Sequence, residues 1–112
     1  MYDKVETLLE KLAGLGKWTV SRDDKAQAIY RRIDGTDDEG RIFLVVHEAS
    51  DPLLVDVGVG KDLARLLAGK YESVSPSRLM DAKSWVEVIC SGQLSDEEVI
   101  DLIRASWERA GE

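Results

Sequence analysis

The chain holds one cysteine, Cys90, and one histidine, His47, in 112 residues. A lone thiol can neither close an internal disulfide nor supply the paired thiolates of the usual structural zinc sites. Such cysteine usage suits a reducing cytoplasm, which is the expected location. No apolar run approaches the roughly 18 residues that a membrane-spanning helix needs. The opening Met1-Tyr2-Asp3-Lys4-Val5-Glu6 lacks the basic start and apolar middle of a secretory signal. Excess positive charge is missing too. Twenty-two acidic against 15 basic residues leave a net charge of −7, which opposes non-specific attraction to nucleic acid or anionic lipid.

What is present fits one domain over residues 1–112, expected to be a monomer. Hydrophobic residues make up 44% of the chain, enough for one core, and charged residues 33%, enough to cover it. Val5, Leu8, Leu9, Leu12 and Leu15 recur at three-and-four spacing and predict a helix over 2–15, with Gly14 and Gly16 as its stop. Strands are expected at 18–22, 26–33, 41–47, 53–59 and 85–90, on the strength of alternation and β-branched or aromatic content. In the fourth, Leu53, Val55, Val57 and Val59 point one way and Leu54, Asp56 and Gly58 the other. A helix is expected over 61–68, ended by Gly69, and residues 71–84 read as irregular. Ser95 followed by Glu98 is a capping box, and Val99, Ile100, Ile103, Trp107 and Ala110 form the stripe of a last helix.

Helix, four strands, helix, strand, helix: this order predicts an α+β two-layer domain. Its antiparallel sheet of about five strands carries the helices on one face. The other face is expected to meet water or a partner.

Candidate chemistry is sparse. His47 and Cys90 invite a base–nucleophile reading, but Cys90 shares strand parity with Val86 and Val88 and reads as a core residue. The loop 34–40 carries four carboxylates. An EF-hand loop begun at Asp34 needs glycine sixth and glutamate twelfth, where Glu39 and Val45 stand. Gly58-Val59-Gly60 lies between strand and helix, yet Leu63 replaces the third glycine of a dinucleotide motif, so the pair reads as a tight turn. No cofactor and no metal ligand set is expected. Acidic residues gather on the first helix (Asp3, Glu6, Glu10) and the last (Asp96, Glu97, Glu98, Asp101). The last helix gains from negative charge in its first turn, and both clusters together could hold cations loosely. On the basic side stand Arg31 and Arg32, on a strand, with Arg78 and Lys83 before Trp85. Trp85, opposite in parity to Val86 and Val88, could show part of its ring on the open sheet face beside them, the minimum equipment for stacking a base while holding phosphate. Covering the edge of a small core is the commoner role of such a ring, and the negative net charge favours it.

Pro52-Leu53-Leu54-Val55-Asp56-Val57, then Lys61-Asp62-Leu63-Ala64-Arg65-Leu66-Leu67, then Val74-Ser75-Pro76-Ser77-Arg78, then Trp85, resembles the MmcQ/YjbR family. In that family a strand leads into a short helix, a Pro-Ser-Arg-like segment follows, and a tryptophan opens the last strand. The closing segment, Ser95-Asp96-Glu97-Glu98-Val99 through Leu102-Ile103 to Ser106-Trp107, looks like the family's terminal helix. Family members often carry lysine or histidine just before the tryptophan, where this chain has Asp81-Ala82-Lys83-Ser84. The resemblance implies a frataxin-like (CyaY-like) α+β class and a DNA-binding role.

The expectation is therefore a small non-enzymatic binding module. DNA is the partner that the resemblance implies, with Arg31, Arg78, Lys83 and Trp85 as contacts. The alternative is a protein-interaction or weakly metal-associated module that uses the acidic helices.

Overall fold

The computed structural model describes residues 10–33, 40–90 and 92–111. Six strands form one antiparallel sheet: β1 (Trp18–Arg22), β2 (Gln27–Arg32), β3 (Arg41–His47), β4 (Leu54–Gly58), β5 (Val74–Pro76) and β6 (Trp85–Ile89). Their order across the sheet is β1-β2-β3-β4-β6-β5. The first four make a meander. Helix α1 (Lys61–Lys70) then carries the chain to the far edge, and β6 returns between β4 and β5. Since β6 runs antiparallel to both, β4 and β5 point the same way, a split β-α-β arrangement. Helix α2 (Asp96–Ala110) packs on the same side as α1. Residues 10–12 are helical, while 2–9 of the expected first helix and 34–39 of the acidic loop lie outside the described residues.

Parity decides which side the helices cover. Ala28, Tyr30, Leu44, Val46, Val55, Val57, Val86 and Val88 face one way by register and are all buried. Beneath α1 and α2 they meet Ala64, Leu67, Val99, Ile100, Ile103 and Trp107. Cys90 joins this core, as its parity required. An aromatic run crosses it. Trp18 and Tyr30 lie 5.3 Å apart, and Phe43 and Trp107 meet edge-to-face at 4.9 Å, a favoured geometry for ring quadrupoles. The Arg32 guanidinium caps the run, 4.4 Å from the Trp107 ring centroid and donating to the Trp107 carbonyl at 2.8 Å.

A bulge explains how Phe43 reaches that core. The β2–β3 register pairs Tyr30 with Leu44 but Arg31 with Ile42, so Phe43 is the extra residue. Its carbonyl accepts from Ser106 Oγ on α2 at 2.6 Å, and Ser106 Oγ in turn accepts from the Gly58 amide at 2.9 Å. One buried hydroxyl thus completes both strands where the β3–β4 ladder stops at Leu44–Val57.

Three expectations need correction. The sheet has six strands, because residues 74–76 of the stretch read as irregular form β5. This strand holds only three residues and includes Pro76, which an edge position tolerates because no ladder N–H is asked of it there. Gly69 does not end α1. The helix runs on to Lys70, and the Tyr71 amide closes it on the Leu67 carbonyl, while Gly69 faces open space. Third, the helix-free face is closed at its centre, as described below. The two glycines after β4 do make a tight turn, each for its own reason. Gly60 takes φ +94°, and a Cβ on Gly58 would sit 2.6 Å from Cε2 of Trp85.

Ser106→Ala leaves the Phe43 carbonyl and the Gly58 amide buried without their partner. Each such loss costs about 1–3 kcal/mol, so a urea titration should show the variant about 2–4 kcal/mol less stable with an unchanged m-value.

Candidate functional site

On the helix-free face, one row across the strands reads Ile29, Val45, Asp56, Glu87, Ser75. Asp56 and Glu87 stand directly opposite each other on β4 and β6. Like charges so placed repel, and these two are also shielded from water. Asp56 is 0% and Glu87 8% exposed. Their neighbours by register are His47, Leu54, Trp85 and Ile89, none of them fully exposed. The centre of this face is therefore closed, and it is not the open platform that alternation alone predicted.

Two cationic or hydrogen-bonding groups offset the repulsion. His47 Nε2 lies 2.9 Å from Asp56 Oδ2. Arg78, which follows β5, grips Glu87 with two bonds: Nη2 donates to Oε1 at 3.0 Å and Nε to Oε2 at 3.2 Å. That fork geometry is the strong form of the pair, and it raises the Arg78 pKa further above its ordinary value. Asp56 goes the other way. Burial pushes its carboxyl pKa up, with Glu87 adding to the rise, against the hydrogen bond and charge of His47 and the charge of Arg78. Its Oδ1 is buried and has no hydrogen-bond partner among the described residues. The nearest ligand atoms of His47, Asp56 and Glu87 all lie within 4.8 Å of one another.

The four residues expected to contact DNA are not gathered into one patch. Arg31, on β2, reaches Ser21 Oγ at 3.5 Å. Arg78 is engaged by Glu87. Trp85 is half-buried, its ring laid on the Gly58 backbone of the helix-free side. Lys83 lies on the other side, in a cleft of about 450 Å³ between α1 and the β5–β6 edge. Lys61 and Arg65 line that cleft with it. Asp62 is there too, and Ala64, Ala68, Pro76, Ala82 and Val86 supply its apolar walls. Among the residues that sequence reasoning missed, Lys61 and Arg65 carry the i, i+4 spacing of one helical face. That spacing was legible, but its meeting with Lys83 needed the β6 register.

His47 and Cys90 cannot act as a dyad, because the sheet separates them: Cys90 is buried in the helix-side core and His47 pairs on the opposite face. The acidic groups of the last helix are partly engaged. Glu98 Oε1 accepts from the Ser95 amide, completing the capping box, while Asp96, Glu97 and Asp101 share a groove with Lys11 and Arg104. Asp3 and Glu6 lie outside the described residues.

No family model matches the chain. It is 31% identical over 72 residues to the uncharacterized protein YjbR of Escherichia coli, strains K12 and O157:H7. That match takes in 64% of this chain and spans 61% of the length of these curated relatives. The backbone superposes on a crystal structure of Deinococcus radiodurans protein DR2400, described as a DUF419 domain, with a TM-score of 0.83 at 21% identity. This superposition covers 92% of this chain and 75% of that one. A Pseudomonas syringae protein gives a TM-score of 0.74 at 16% identity, covering 94% and 97%. These likenesses establish a distant relationship to YjbR and a fold shared with both solved structures. Among the described residues, no helix is long and apolar enough to cross a membrane.

Because the folded Asp56 pKa is raised, its proton is held more tightly folded than unfolded. Its stabilising contribution is therefore complete below the unfolded pKa and is lost as pH rises through the folded one. Asp56→Asn removes that loss. Thermal melts of both proteins from pH 4 to 8 should show the difference moving in favour of the variant as pH rises.

Proposed function

We propose that the protein is a small binding module without catalytic activity, a YjbR-like domain of the frataxin-like class, and that DNA is its partner. The observation that carries this reading is the cleft between α1 and the β5–β6 edge. In a chain of net charge −7, Lys61, Arg65 and Lys83 line a single depression with apolar walls. Two cations one helical turn apart and a third on the facing strand connection suit successive phosphates of a nucleic-acid backbone, the contact that supplies most non-specific affinity. Lys83 is thus the member of the sequence-derived set kept as a phosphate contact. Arg31 and Trp85 lie on the helix-free face of the sheet, and the two bonds from Arg78 to Glu87 leave Arg78 poorly placed for phosphate. The non-enzymatic reading is supported by the separation of His47 from Cys90 across the sheet.

Anisotropy of labelled duplex and single-stranded DNA, titrated at low and moderate salt, tests this. Three phosphate contacts predict a slope of log K against log salt of about −2 to −3. Arg65→Glu combined with Lys83→Glu should abolish binding while leaving the circular dichroism spectrum unchanged. Absence of binding at low salt removes DNA as the partner.

A further inference from the structure

We propose that His47, Asp56 and Glu87 form a binding site for a divalent first-row transition-metal ion on the helix-free face of the sheet. Three strands supply one ligand each, from β3, β4 and β6, so the backbone hydrogen-bond ladder fixes their spacing instead of a mobile loop. Their ligand atoms already lie within 4.8 Å of one another, and His47 Nε2 and Asp56 Oδ2 are 2.9 Å apart. Around an ion with bonds of about 2.1 Å in tetrahedral geometry, ligand atoms sit roughly 3.4 Å from one another. Closure therefore needs only side-chain shifts on the order of an ångström.

An independent observation points to a ligand. Asp56 Oδ1, on a residue 0% exposed, is the one buried side-chain polar atom without a hydrogen-bond partner among the described residues. A buried carboxylate oxygen left unpaired is costly, and a cation bound there would satisfy it. The same cation would cancel the repulsion between Asp56 and Glu87, which face each other across β4 and β6. The donor set selects the class of ion. Magnesium and calcium take oxygen ligands throughout, whereas one imidazole nitrogen with two carboxylates suits zinc, cobalt or ferrous iron. Arg78 holds Glu87 in the absence of the ion. Its side chain is 77% exposed and free to swing into solvent, and each Glu87 oxygen keeps a second lone pair for a metal. Arg78 is thus the internal competitor for the site.

The test is titration of the untagged, metal-stripped protein with Co²⁺ by visible absorption and with Zn²⁺ by calorimetry, with Mg²⁺ as control. Saturation at one ion per chain, with a cobalt ligand-field band and no response to Mg²⁺, is expected. His47→Gln and Glu87→Gln should each weaken binding at least about tenfold, and Asp56→Asn should do the same. Arg78→Ala should tighten it several-fold, a gain that damage to the fold would not produce. Circular dichroism identifies any variant that fails to fold, and Arg78→Ala then carries the test. Three results would overturn the proposal: no saturable binding by the parent, binding unchanged in folded His47→Gln and Glu87→Gln, or failure of Arg78→Ala to strengthen it.

Discussion

The hydroxyl of Ser106 holds the two layers in register. It gives its proton to the Phe43 carbonyl and receives the Gly58 amide, joining α2 to β3 and β4 at the point where their own ladder ends. The bulge makes that bond necessary. An extra residue in β3 turns Phe43 into the core against Trp107, and the cost is two backbone groups without strand partners. A hydrophobic residue at 106 would fill the space but leave both groups unpaired. Once α2 is seated in this way, one side of the sheet is committed to the core and the other must solve its own electrostatics.

It does so under poor conditions. Two carboxylates face each other on neighbouring strands, both shielded from water, where Coulomb repulsion is less damped than at the surface. A purely structural sheet would place valine or threonine at such positions, since replacing buried charges with packed apolar groups is commonly neutral or favourable. The compensation here is incomplete. Glu87 has a two-bond arginine, whereas Asp56 has one bond to His47 and a second oxygen with no partner among the described residues. Facing carboxylates that are under-satisfied, one with its pKa raised by burial, are more characteristic of a binding site than of a scaffold.

The fold was largely legible because its pattern is local. The parity of Leu53 to Val59 and of Trp85 to Cys90 sorted core from far face residue by residue, and Ser95 with Glu98 marked the start of α2. What was not legible depends on register between distant strands. Asp56 and Glu87 stand 31 positions apart, and only the insertion of β6 beside β4 sets them face to face. Each looked like an ordinary polar residue on a solvated face. β5 escaped for a different reason: three residues with a proline carry too little periodicity to count. The Ser106-Trp107 pair was visible as part of a resemblance, but its role needed the bulge, which no alternation pattern contains.

Two sites on opposite sides of the sheet carry opposite charge. On the helix side, Lys61, Arg65 and Lys83 crowd one cleft. On the far side, the unpaired oxygen and the facing carboxylates attract cations. A single extended anion could not engage both, because any phosphate near Asp56 and Glu87 would meet charge of its own sign. Nucleic acid would therefore be directed to the helix-side cleft, with the surrounding acidity limiting how far it could spread over the surface. An ion held by β3, β4 and β6 would not contact that cleft, but it would brace β6, the strand whose entry segment carries Lys83.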